Sequence, residues 1–343
     1  MRPIEKIQMQ NLLDPAILFF LLGVLAGAIK SNLEIPPAIS RFLSLYLLMA
    51  LGLKGGFALS HSGLTANVGI SLAAAMVLAI SIPLMGYWFL RRFVAVFDAA
   101  AVAATYGSVS AVTFVTAVQY LENQNIDYGG HMAAAMALME SPAIILAVVL
   151  ANTLRQKQTP PIVSLGSGVA GLSEPPNQQS VSIGKILHES FTDGAQLLLL
   201  GAMVVGMMTG DAGKAAMEPF SGDLFKGMLS FFLLDMGLMA ARNLPQVKGK
   251  SPALIAYAII GPILHASLAL GLAYVLNLPA GDGALLMVLA ASASYIAVPA
   301  VLRFALPEAN PSLYFGLSLG ITFPLNILFG IPAYVSIAQS VLL

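Results

Sequence analysis

The sequence predicts an all-α, polytopic membrane protein of ten transmembrane helices, arranged as two five-helix repeats of opposite orientation with one broken helix in each. Three observations carry this expectation: composition, the recurrence of long apolar stretches, and the likeness of one half of the chain to the other. Of 343 residues, 58% are hydrophobic and only 9% charged, where soluble domains carry roughly 25% charged residues. A water-soluble fold is therefore excluded. The apolar stretches recur along the whole chain, each close to the roughly 20 residues that an α-helix needs to cross a hydrocarbon core.

Gly, Pro and charge clusters divide these stretches into helices near 14–29, 38–58, 64–90, 99–120, 129–153, 187–209, 221–243, 251–277, 281–304 and 312–341. The first is not followed by a small-residue cleavage site, so it reads as a retained helix rather than a signal peptide. Arg155 to about Lys185 is polar and contains Pro160, Pro161, Pro175 and Pro176, the composition of a mobile loop. Residues 1–153 thus form the first repeat, 154–186 a loop, and 187–343 the second repeat. Ten crossings put both termini on one side. Of the 16 basic residues, 11 fall on the side of the long loop: Lys30, Arg41, Arg91, Arg92, Arg155, Lys157, Lys185, Arg242, Lys248, Lys250 and Arg303. By the positive-inside rule that loop is cytoplasmic and both termini face outward.

A shift of roughly 180 to 185 residues lays the first half of the chain over the second. DPAILFFLLG at Asp14 meets DGAQLLLLGA at Asp193, and the Gly52 helix meets the Gly237 helix. FDAAAVAATYGSVS from Phe97 meets GDGALLMVLAASAS from Gly281, placing Asp98 on Asp282, Ser108 on Ser292 and Ser110 on Ser294. Pro142 also meets Pro324. Five helices per repeat is an odd number, so the halves lie upside down relative to each other, the design of many secondary transporters.

The fourth and ninth helices carry GSVS (Gly107 to Ser110) and SAS (Ser292, Ala293, Ser294) near their midpoints. Where such a helix unwinds, the next half-helix starts inside the bilayer with unpaired N–H groups and the positive end of its dipole. Two such ends facing each other make a cradle for a small anion. The alternative for each serine is a bond to the carbonyl four residues back, with close helix packing as its only role. Pro299 adds irregular backbone beside the second pair.

Ionisable residues at membrane depth are functional candidates by default. Glu140, next to Ser141 and Pro142, could join Thr113, Ser110, Thr322 and Asn326 in a set of hard oxygen ligands for sodium. Asp235 reads as a structural residue paired with Lys54 or Arg242, and His265 as a buried core histidine. With no cysteine, thiol chemistry and thiolate metal sites are absent, and 16 acidic residues balance the 16 basic ones, leaving no footprint for nucleic acid. No P-loop, HExxH or Ser/His/Asp grouping appears, so neither ATP hydrolysis nor a familiar enzymatic reaction has residues to carry it. Transport would then draw on an ion gradient.

The chain resembles the sodium-dependent bicarbonate transporter family of cyanobacteria and other bacteria, the SbtA type, over nearly its whole length. The likeness is carried by LEIP at Leu33, LGLKGG ending at Gly56, YGSVSAVTF at Tyr106, SPAIILAVVLAN ending at Asn152, GPILH at Gly261, AASAS ending at Ser294 and ANPSLY at Ala309. It implies an electrogenic sodium/bicarbonate symporter with core and gate domains, a homotrimer working by an elevator-like movement. It also implies a small PII-like cytoplasmic regulator, and a substrate site at Gly107, Ser108, Ser110, Ser292, Ala293 and Ser294. Three positions depart from the family pattern: Tyr295 replaces an acidic residue, Glu140 an aspartate, and Val298-Pro299-Ala300 a Gly-Pro-Pro stretch. The leading expectation is sodium-coupled uptake of bicarbonate or a related small anion. A cation/proton antiporter of similar design and a membrane solute sensor remain as alternatives, with an intramembrane hydrolase a distant third.

Overall fold

The computed structural model describes residues 13–63, 65–158 and 194–342. Among these the secondary structure is helical throughout. The elements are α1 (Pro15–Ala28), α2 (Pro37–Ser62), α3 (Ala66–Leu90), α4 (Val96–Gly107), α5 (Ala111–Asn123), α6 (Met132–Gln158) and α7 (Gly194–Glu218). They continue with α8 (Phe225–Asn243), α9 (Pro252–Val275), α10 (Ala280–Ala291), α11 (Ala297–Ala305) and a final helical run, α12 (Pro311–Val341). Proline opens α1, α2, α9 and α12, where its missing N–H would be unpaired in any case. The Asp14 side chain caps α1 by accepting from Ala16 N–H at 2.8 Å, and Asn310 caps α12 through Ser312 N–H at 3.0 Å.

Seven helical runs among the described residues are long and apolar enough to cross a membrane, and α1 and α10 are shorter apolar helices. One of the seven, Gly194–Val247, contains α7 and α8. Its first helix breaks where the sequence expectation ends the sixth span, because Gly210 takes a non-helical φ of 52°, and a second, short helical stretch of DAGKAAME then runs to Glu218. A π-helical turn at Pro219–Asp223 then leads into α8. The expected cytoplasmic loop also begins late: α6 runs on to Gln158, and the rest of the 155–185 segment, the stretch expected to meet a PII-like regulator, lies outside the described residues, as do 1–12 and the start of the sixth span.

Two pairings dominate one side of the molecule, α2 with α7 and α1 with α8. Both depend on glycine. A Cβ at Gly23 would collide with the Leu234 carbonyl of α8, and one at Gly56 with the Met203 carbonyl of α7, so the paired helices touch backbone to backbone. On the other side α3 packs on α4 and α6, while α9 packs on α10.

The buried acid Asp235 of α8 lies here too. Its carboxylate accepts from Ser40 Oγ of α2, and the expected Lys54 partner instead bonds Glu122 at 2.9 Å. Arg242 donates to the Leu33 carbonyl at 2.9 Å. Outside the spans, Arg155 forks onto Glu308 at 2.8 Å through both Nε and Nη2 and holds the Glu308 carboxyl below its usual range.

The close approach makes an asymmetric prediction about glycine. Gly56→Leu should destabilise the detergent-solubilised protein by about 1–3 kcal/mol or more through overpacking. Gly69→Ala, at a position where an added Cβ meets nothing within 4 Å, should be neutral or stabilising by up to about 1 kcal/mol. Thermal unfolding of the two variants measures both.

Candidate functional site

The α4/α5 and α10/α11 segments are each interrupted at the serines singled out from sequence. After Gly107 the chain turns extended at Ser108 (φ −99°, ψ 176°) and resumes helix at Ala111. After Ala291 it turns extended at Ser292 (φ −80°, ψ 166°) and resumes at Ala297. Ser110 caps the new helix, its Oγ accepting from Thr113 N–H at 3.2 Å and from Thr113 Oγ1 at 2.9 Å. Ser294 Oγ accepts from Val298 N–H at 3.3 Å. Pro299 falls in the first turn of α11, where a missing N–H breaks nothing. Gly107 must be glycine, since a Cβ there would meet the Pro83 ring of α3 at 2.5–2.6 Å.

The interruptions are bonded to each other. Ser110 N–H donates to Ser292 Oγ at 3.0 Å, and Ser294 N–H donates to the Thr105 carbonyl at 2.8 Å. Ser292 Oγ also donates to the Leu289 carbonyl at 2.8 Å. Each backbone break therefore finds part of its hydrogen bonding in the other, a requirement where water is scarce. The outer ends are tied in the same reciprocal way. Asp98, at the start of α4, accepts from Asn310 N–H at 2.7 Å, while Asp282, at the start of α10, accepts from Gly129 N–H at 2.5 Å. His131 stands 3.6 Å from the Asp282 carboxylate.

A cavity of about 240 Å³ lies where the two new helices begin. Residues 109–112 and 294–297 line it from the two breaks, Glu140 from α6, Ser44 from α2 and Gln196 from α7. The starts of α5 and α11 thus face one space, with Ala111 and Val112 N–H in the first turn where a helix leaves donors unpaired. Gln196 Nε2 donates to Glu140 Oε2 at 2.6 Å. Tyr295, also in the lining, packs edge-to-face on Phe323 with ring centroids 5.3 Å apart.

The sequence-expected residues divide. Ser110, Ser294 and Glu140 share the cavity, and Thr113 is bonded to Ser110 just behind it. Gly107, Ser108, Ser292 and Ala293 lie buried in the breaks without lining that space. Thr322 and Asn326 do not line it either. Thr322 Oγ1 is 2.6 Å from the Tyr106 hydroxyl and donates to the Ala258 carbonyl at 2.7 Å; Asn326 Nδ2 donates to the Ala291 carbonyl at 2.8 Å. Both therefore brace the last residues before the breaks. They project from an irregular part of α12, where π turns at Ser318–Thr322 and Asn326–Gly330 flank Pro324. His265 is buried with its ring edge-to-face on Tyr257, as expected of a core histidine.

Among the described residues no group of three or more His, Cys, Asp or Glu side chains is placed to hold a metal ion. A cation at Glu140 would have to take hydroxyl and backbone carbonyl oxygens for the rest of its shell. Ser108 is the reverse case: its Oγ is buried with no hydrogen-bond partner in the protein. Gln196 was missed in the sequence reading, although a glutamine in an otherwise apolar helix is a signal of its own. The reciprocal role of Asp98 and Asp282 was also missed, although the alignment of the two halves of the sequence already paired them.

The family model of the Na+-dependent bicarbonate transporter superfamily matches residues 15–339, from the first residue of α1 to the last turns of α12. The chain belongs to this superfamily. No curated protein matches it. The match spans both breaks and every residue that lines the cavity.

The bonding pattern separates two serines that sequence treats alike. Ser292→Ala should leave the Ser110 N–H without its acceptor and cost about 1–3 kcal/mol of stability. Ser108→Ala removes a hydroxyl with no protein partner and should change stability by less than about 0.5 kcal/mol. Thermal unfolding in detergent distinguishes them, and equal losses would show that the two serines do the same structural work.

Proposed function

We propose that this superfamily member is a sodium-coupled symporter that takes bicarbonate or a closely related small anion into the cell. The observation that carries the reading is the single cavity faced by two helix starts and one carboxylate. N–H groups at the starts of α5 and α11 hold the anion, with the Ser110 and Ser294 hydroxyls beside them. Sodium binds at Glu140, completed by Ser110, Thr113 and backbone carbonyls. Thr322 and Asn326 act through the positions of Tyr106 and Ala291 rather than as ligands.

The carboxylate supplies the coupling. Two like unit charges roughly 6 Å apart repel by about 3 kcal/mol at an effective dielectric of about 20. An anion entering beside the Glu140 carboxylate is thus disfavoured by up to about 100-fold, and a sodium ion bound first offsets that penalty. By linkage the anion raises sodium affinity by the same factor. With Tyr295 in place of the family's acidic residue, Glu140 is the carboxylate that lines the cavity, which favours one carboxylate-bound sodium per cycle.

Inverted repeats are supported by the reciprocal pattern: Ser110 with Ser292 and Ser294 with Thr105 at the crossing, Asp98 with Asn310 and Asp282 with Gly129 at the ends. The separate pairings of α1 with α8 and α2 with α7 support a gate body distinct from the core that carries the breaks. The distribution of basic residues favours a cytoplasmic 155–185 loop.

Uptake of radiolabelled bicarbonate into proteoliposomes, with and without an inward sodium gradient, tests the reading. Sodium-dependent accumulation is expected; folded protein that moves other small anions but not bicarbonate would overturn the substrate. Glu140→Gln should lower uptake at least tenfold and flatten its dependence on sodium. An unchanged sodium dependence in that variant would remove Glu140 from the cation site.

A further inference from the structure

A second cavity, of about 730 Å³, opens between α3 and α9, the helices that directly precede the two interrupted segments. Its walls include Met85, Trp88 and Phe89 from α3 and Ile260, Leu264 and Leu268 from α9. These six side chains are between 38% and 58% exposed, so they form an apolar groove on the exposed face of two helices long and apolar enough to cross a membrane. Size and lining suit one elongated apolar group.

The groove is not uniformly apolar. Gly86 and Tyr257 line it together, and the Tyr257 hydroxyl lies against Gly86, where a Cβ would stand 2.5 Å from the oxygen. That hydroxyl is buried and has no hydrogen-bond partner in the protein, one of five such side-chain atoms among the described residues. The Nδ1 of His265, another of the five, belongs to the same wall. A buried phenol without a partner costs free energy that a bound acceptor recovers.

The end of α3 adds charge. Arg91 caps α3, and the Arg92 guanidinium stacks over Trp88, itself a groove residue, 3.9 Å from the ring centroid. Both arginines are exposed. Gly86 precedes Arg91 by five residues, roughly 8 Å along the helix by its rise of about 1.5 Å per residue. Descending from the helix end there are two cations, an interfacial tryptophan, a hydroxyl without an acceptor, and an apolar trough.

We infer that this groove binds one anionic phospholipid, its phosphate at Arg91 and Arg92, an acyl chain along Ile260, Leu264 and Leu268, and an ester carbonyl that accepts from the Tyr257 hydroxyl once this turns from Gly86 into the groove. Charge selects the headgroup, because paired arginines favour phosphate with a net negative charge over a zwitterionic headgroup. The phenol selects a lipid with ester carbonyls at that depth. Tyr257 also packs on Tyr106, with centroids 5.0 Å apart and an interplanar angle of 63°. A bound lipid therefore stiffens the residue that precedes Gly107 at the first break.

The test is thermal unfolding of the delipidated full-length protein in detergent with added phosphatidylglycerol, phosphatidylcholine of the same chains, or glycerol phosphate. Phosphatidylglycerol should raise Tm by several degrees, while the other two should raise it little. Arg91→Gln with Arg92→Gln, at exposed positions that leave folding intact, should abolish the difference between the two lipids. Tyr257→Phe should weaken the phosphatidylglycerol response several-fold while retaining the preference for it. Equal responses to both lipids, or a double arginine variant that keeps the preference, would overturn the site. A response to glycerol phosphate equal to that of the lipid would show a surface anion site with no role for the groove.

Discussion

The constraint on which the rest depends is that a backbone broken within a membrane must find its hydrogen bonds in protein. Both breaks meet it by meeting each other: Ser110 N–H bonds Ser292 Oγ, and Ser294 N–H bonds the Thr105 carbonyl. Neither interruption is satisfied alone, so the two half-helix starts are fixed in relation to one another before any solute arrives. That arrangement places preorganised dipoles around one small cavity, at no cost in reorganisation when charge enters.

The surrounding packing serves the same constraint. Asp98 and Asp282 tie the far ends of the broken helices to loops of the other half, while Asn326 and the Tyr106–Thr322 pair hold the residues just ahead of each break. Pro83 packs on Gly107 from α3. The one place where the reciprocal pattern lapses is Ser108. Its counterpart Ser292 accepts from Ser110 N–H, whereas Ser294 N–H passes over Ser108 to the Thr105 carbonyl and leaves the Ser108 hydroxyl open. Two nearly symmetric breaks thus leave an asymmetric site, with one free hydroxyl and one carboxylate, Glu140.

Glu140 also joins two parts of the molecule. It projects from α6, which packs with the broken helices, and accepts from Gln196 of α7, which packs along α2. The Glu140 carboxylate is therefore a point of contact between the two helix groups, and in the proposed reading a cation bound there would act on that contact.

Much of this was legible in the chain alone. Membrane embedding followed from the lack of charge, and the breaks from GSVS and SAS at matched positions, because both are local properties of composition and small hydroxyl residues. The sequence alone also marked Glu140, since a carboxyl in an apolar helix is conspicuous. It could not separate Ser110 and Ser294, which face the cavity, from Ser108 and Ser292, which do not, since adjacent extended residues point to different neighbours that only the other break supplies. Nor could it show that Thr322 and Asn326 brace the breaks, or that Asp235 turns to Ser40 and Lys54 to Glu122. Sequence determined where the backbone must be irregular; tertiary structure decided which groups meet there, because hydrogen bonds between segments some 180 residues apart are set by helix packing rather than by local preference.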